Sequence, residues 1–226
     1  MASRLPATLS GVYWFESWRL FWLLALATSL AILSGLPFTD FHSAHGMEFI
    51  ILRSVRCALP WFLVAFSASS LAGLWPSRGT RWLLANRRYL GLAFAFGMAW
   101  HLTFVAYSIW RFGNRLNASI TTLDLIGFGF LLLMTLTSFR WFARRLTLAD
   151  WRRLHKAGAY VIWLLATYIY LGNVRGGGDA FHYAVLGALL AAWALRVAAW
   201  IKPRLARDRE AGDLPAARHN FLKTKI

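Results

Sequence analysis

Runs of apolar residues long enough to cross a bilayer recur along this chain, and they constrain its fold more than any other feature. They fall at 18–36, 49–75, 89–110, 123–139, 157–171 and 180–201. A span needs about 20 mostly apolar residues to cross roughly 30 Å of hydrocarbon, and only helices or closed barrels satisfy their backbone there. The runs show no strict two-residue alternation, which predicts an all-α bundle of six transmembrane helices rather than a barrel. A hydrophobic content of 58% and a mean hydropathy of +0.48 exceed what the surface of a soluble 226-residue domain tolerates. The run at 18–36 follows a thin basic region (Arg4, Arg19) and outlasts a signal-peptide core, so it reads as an uncleaved first span. The predicted organisation is an N-terminal segment 1–16, a membrane domain 17–201 and a basic tail 202–226, polar and disordered at its end.

A formal net charge of +16 would suggest nucleic acid in a soluble protein, but here the cations lie between the apolar runs. The connections after spans two and four, and the tail, carry nearly all of them: Arg78, Arg81, Arg87 and Arg88 in the first, Arg144, Arg145, Arg152 and Arg153 in the second. With an even span count, the positive-inside rule then predicts that both termini are cytoplasmic. Tryptophans near the span ends (Trp14, Trp18, Trp75, Trp82, Trp110, Trp141, Trp151, Trp200) fit interfacial belts.

Ionisable residues inside a span are costly and therefore suspect as functional. His101 lies 12 residues into span three, about 18 Å from its basic end. An imidazole at that depth needs either a hydrogen-bond partner or a metal, and the residue alone leaves both open. His155 stands at the start of span five beside arginines, as an interfacial histidine would. His42, His45 and His182 belong to the opposite end, and His219 to the tail. Arg53 and Arg56, three residues apart near the outer end of span two, share a helix face. They either snorkel to the surface or pair with carboxylates held between helices. The single cysteine, Cys57, excludes an internal disulfide, and no GxGxxG, P-loop, GxSxG or CxxC motif appears. No carboxylate lies deep in a span, so coupled transport has no support.

Two stretches together carry a resemblance. The first is Asn86-Arg87-Arg88-Tyr89-Leu90-Gly91-Leu92 followed by His101-Leu102. The second is Thr137-Ser138-Phe139-Arg140, then Arg144-Arg145-Leu146, then Trp151-Arg152-Arg153-Leu154-His155-Lys156 and Tyr160. Over residues 49–171 the chain resembles the ferric reductase-like transmembrane domain family, most closely its bacterial branch. The resemblance implies a six-helix bundle in the bacterial inner membrane that holds haem b and passes electrons outward from a cytoplasmic reductase or the quinone pool to a periplasmic redox partner. It makes His101 the principal axial iron ligand and His155 a second ligand or a quinone contact. Arg53, Arg56, Arg87 and Arg88 become partners of haem propionates or a quinone headgroup.

One position departs from the pattern. The family places a second span-five histidine 13 residues after the first, and here that position is Tyr168. By rise alone Tyr168 lies about 19 Å from the basic end, level with His101, and tyrosinate can ligate haem iron. Three arrangements stay open: a five-coordinate or Tyr168-ligated haem, a site rebuilt around another residue, or a haem-free membrane scaffold of the same fold. His182 is too near the outer surface to replace the missing ligand.

Overall fold

A computed structural model describes residues 17–113 and 118–223, with the side chains of 118–121 and 203–223 outside that description. The N-terminal segment 1–16, the loop residues Asn114, Arg115 and Asn117, and the side chain of His219 thus lie outside the described residues.

Among the described residues, seven α-helices follow in order: α1 (Ser17–Leu33), α2 (Ala44–Leu74), α3 (Arg78–Phe112), α4 (Ala118–Leu136), a single turn α5 (Arg140–Ala143), α6 (Leu148–Arg175) and α7 (Ala180–Lys223). No strand occurs among the described residues. Among the described residues, five helical segments are long and apolar enough to cross a membrane, and the apolar part of α4, Thr122–Leu136, is a shorter sixth. The chain is thus an all-α, multi-pass membrane bundle.

Local chemistry sets the helix ends. Ser77 caps α3 in a reciprocal box with Thr80, and Ser43 caps α2 through the Gly46 amide. Thr147 caps α6 by accepting from the Asp150 amide, with Asp150 in the first turn. This cap starts α6 nine residues before the predicted fifth span, at 148 rather than 157. His155 is therefore inside a helix, not at its entrance. The last helix also differs from expectation: its backbone continues to Lys223, past the apolar run that ends at 201.

The helices pack up and down, α2 against α3 most closely, with α1 beside α3, α4 beside α6, and α7 bridging α2 and α6. The start of α1 meets α3 through the Ser17 amide donating to Asn86 Oδ1 (3.0 Å). The membrane part of α7 ends where Lys202 Nζ donates to the Leu74 carbonyl (2.8 Å). These contacts gather the arginine-rich connections at one end of the bundle. Close approach relies on small residues: a Cβ at Gly97 would sit 2.6 Å from Ala58 Cβ and 3.3 Å from Thr28 Cγ2, where α1, α2 and α3 meet.

Arg53 closes α1. Its Nε donates to the Ala31 carbonyl and its Nη2 to Ser34 Oγ, both at 2.8 Å, and its stem fills the space a Cβ at Gly35 would take. A helix C-terminus leaves carbonyls unpaired, and a guanidinium satisfies them. The expected result of Arg53→Met is a loss of about 1–3 kcal/mol of stability, read as a lower thermal midpoint in detergent.

Candidate functional site

The site is built at the arginine-rich end, where α2, α3, α4, α6 and α7 enclose a cavity of about 490 Å³. Ligand pockets span roughly 300–1,000 Å³, so this void is of cofactor size. Its floor is aromatic, with Phe62, Phe66 and Phe94 from the core and Trp151 at the rim. Its walls carry Arg87, Arg88, Arg152, Lys156 and Arg196, with no aspartate or glutamate among the lining residues. His155 is the imidazole in that lining.

Neighbours hold His155 in place. Trp151 stacks on its ring at 4.1 Å and donates Nε1–H to the Thr137 carbonyl (3.0 Å). Thr137 Oγ1 lies 3.1 Å from His155 Nε2 and only 2.6 Å from the Leu133 carbonyl. A carbonyl only accepts, so the threonine proton goes to Leu133. His155 Nε2–H then donates to Thr137, and Nδ1 keeps a free lone pair. One threonine thus sets both the ring's platform and its tautomer.

His101 lines neither this cavity nor a second, largely apolar one. The second cavity, of about 590 Å³ between α1, α3 and α4, includes Trp22, Phe96 and Phe128 in its walls. The His101 ring lies near-parallel to Phe128, centroids 6.1 Å apart, and its Nδ1 is 3.3 Å from both the Ile51 carbonyl and Ser54 Oγ. Since Ser54 already donates to the same carbonyl at 2.6 Å, His101 Nδ1 is the protonated nitrogen. Its Nε2 is left as an acceptor, the arrangement that second-shell carbonyls impose on metal-bound histidines. The ring is prepared as a ligand, yet of the two cofactor-sized voids only the arginine-lined one has an imidazole in its lining, that of His155.

The remaining expected site residues separate. Tyr168 does not face the interior: it is 65% exposed and shares the outer face of α6 with Leu164, opposite the buried Ile162, Trp163 and Tyr170. Rise along the helix matches it to His101, but its angular position turns it outward. Arg53 caps α1, as above. Arg56 lies over the Phe181 ring (4.4 Å) at the far end of α7. There Asp179 Oδ1 meets His182 Nδ1 at 2.6 Å, and the His182 amide holds the Asp179 carboxyl below the ordinary carboxylate range. Arg53 and Arg56 therefore stand apart from the cavity, while Arg87, Arg88 and His155 come together in it.

Sequence reasoning missed Arg196, which is the only Lys, Arg, Asp or Glu between residues 180 and 201. Its guanidinium lies 3.8 Å from the Phe66 centroid and 5.0 Å from that of Tyr160, and its Nη2 donates to the Phe66 carbonyl (2.9 Å). An arginine in an apolar run was the available signal. The Nε atoms of Arg88 and Arg196 are buried without a hydrogen-bond partner among the described residues. Buried donors are normally paired, so each of these arginines keeps one donor unmet among the described residues.

The donor set suits an anionic macrocycle better than a bare ion. No group of three or more His, Cys, Asp or Glu side chains gathers among the described residues, so a naked cation would find no ligand shell. A porphyrin brings four nitrogens and two carboxylates of its own, and asks the protein for an imidazole, flat apolar walls and cations. The cavity supplies all three.

No family model and no solved structure matches the chain. Among curated proteins it is 34% identical over 182 residues to the protein-methionine-sulfoxide reductase heme-binding subunit MsrQ of Yersinia pseudotuberculosis serotype O:1b (strain IP 31758), covering 76% of this chain and 81% of that protein. It matches MsrQ of Yersinia pestis (strain Pestoides F) at the same identity, over 80% of that relative. With that identity sustained over most of both chains, the chain belongs to the MsrQ family of protein-methionine-sulfoxide reductase heme-binding subunits.

Proposed function

We propose that the chain is a membrane electron-transfer subunit that holds haem in the arginine-rich cavity, with His155 toward the iron. The carrying observation is the cavity itself: one imidazole, an aromatic floor and five cations without a counter-charge. When bound, haem supplies a one-electron carrier whose potential the protein tunes through ligand, charge and burial. The chain's own residues do the rest. Thr137 and Trp151 orient His155, Arg87, Arg88 and Arg196 face the carboxylates, and Phe62, Phe66 and Phe94 exclude water. Attachment is non-covalent, the b-type mode, because a lone cysteine provides no CxxCH site. His101, with Nε2 free, is the candidate ligand for a second position toward the bundle centre.

By the positive-inside rule the arginine-rich end faces the cytoplasm. On this reading both termini lie on the cytoplasmic side of a bacterial inner membrane, with residues 17–201 as the membrane domain between the segment 1–16 and the tail 202–226. Electrons would enter at the cavity from a quinol or a cytoplasmic reductase and leave toward a periplasmic redox partner, the reductase subunit that the relatives' name implies.

The test is the absorbance spectrum of detergent-purified protein from haem-supplemented cells. The expected result is a Soret band with a sharp α-band on reduction. A colourless, monodisperse preparation would instead support the haem-free scaffold, the reading that the outward-facing Tyr168 favours.

A further inference from the structure

The apolar void between α1, α3 and α4 has dimensions that select its occupant. Its wall on α3 runs from Leu92 to Leu102, a stretch of about 15 Å at the helical rise. A void of about 590 Å³ spread over that length averages roughly 7 Å across, too narrow for a helix of about 10–12 Å with side chains. A single hydrocarbon chain fits. No Asp, Glu, Lys, Arg or His lines the void, and the Thr135 hydroxyl already donates to the Leu131 carbonyl (2.7 Å). With neither an imidazole nor a cation, it offers a porphyrin nothing to hold. One end is shut where Trp18 of α1 stacks on Phe139 just past α4, centroids 5.9 Å apart. The side is open: Trp22, Leu102 and Leu132 of the lining are 64%, 43% and 58% exposed. All three belong to apolar, membrane-crossing segments or to the shorter apolar part of α4, so hydrocarbon rather than water stands at that opening. Left empty, the void forfeits packing along every wall.

We infer that this cleft is a seat for one acyl chain of a membrane glycerophospholipid, which enters sideways between α1 and α4 and packs on Phe96, Ala99 and Phe128. Its headgroup lies at the level of the Trp18–Phe139 stack. Both stacked residues are followed in the chain by an exposed arginine, Arg19 and Arg140, which suits a phosphodiester there. The seat does not depend on the haem reading. It does adjoin that site: Leu92, Leu131 and Thr135 line both voids, so the chain completes the packing of a wall that the arginine-rich cavity shares.

The probe is phosphatidylglycerol carrying a diazirine in one acyl chain, reconstituted with the full chain in nanodiscs. The protein is washed into lipid-free detergent, irradiated, and mapped by peptide mass spectrometry. Leu164 of α6 and Leu190 of α7, 58% and 51% exposed and lining neither void, report the ordinary lipid annulus. Retained label is expected to be at least about tenfold richer in the cleft than at those two positions, one decade of affinity. Ala99→Phe, which fills the cleft, should lose the label, and Leu190→Phe should keep it. Stripping lipid should lower the thermal midpoint of the unaltered protein, and that of Ala99→Phe by less. Label spread evenly over cleft and outer faces of the unaltered protein would overturn the seat, whether or not the variant folds. So would a folded Ala99→Phe that retains the label, or crosslinks from the cleft to a second copy of the chain. Displacement by a prenyl quinone but not by unlabelled phosphatidylglycerol would overturn the acyl assignment.

Discussion

Gly97→Leu should prevent the protein from accumulating in folded form. Gly97 is buried where α3 crosses α2 and α1, and any Cβ there meets Ala58, which is fully buried, and Thr28, which is 2% exposed. Neither neighbour has a flexible side chain that could swing aside. Helix association in a bilayer depends on this kind of close approach, because lipid gives no hydrophobic drive to bring the helices together. Overpacking a filled core costs about 1–3 kcal/mol and more where backbone must move, a large share of a typical margin of about 5–15 kcal/mol. Size-exclusion yield of a fluorescent fusion reads the effect directly. Gly187→Ala is the matched control: nothing lies within 4 Å of its missing Cβ, and alanine improves helix propensity by up to about 1 kcal/mol. Equal yields for the two variants would mean that α1, α2 and α3 do not meet as closely as described.

His155→Ala should remove most of the bound haem, a drop in Soret absorbance per protein of about tenfold or more. Even second-shell partners of metal-bound histidines are worth roughly 10–100-fold in affinity, and the same figure is expected for Thr137→Val, which frees the ring to rotate. Tyr168→Phe should leave the spectrum unchanged, because that side chain faces outward. His101→Ala should cost less haem than His155→Ala, since the cavity does not reach it. The opposite ranking, with His101→Ala colourless and His155→Ala coloured, would move the cofactor to the bundle centre.

The difference between those rankings shows where sequence reading stops. The bundle itself was legible, because apolar runs of membrane length have few alternatives. So were the arginine pair and His155, whose neighbours in sequence are also neighbours in space. Tyr168 was not. Counting residues gives depth along a helix, but the face depends on where the neighbouring helices lie, and Tyr168 falls on the lipid side with Leu164. Arg53 and Arg56 do share a helix face, yet their long side chains diverge, one to the end of α1 and the other to Phe181. Arg196 went unread inside the apolar run 180–201, and its contacts with Phe66 and Tyr160 reveal an inward arginine. Side-chain direction, rather than secondary structure, was the missing quantity.

The most direct test is an experimental structure of the protein purified with its haem. The account predicts a planar macrocycle in the cavity among Phe66, Phe94, Met134 and His155, with its carboxylates on Arg88 and Arg196. A macrocycle against His101, or a haem-loaded protein with this cavity empty, would contradict it.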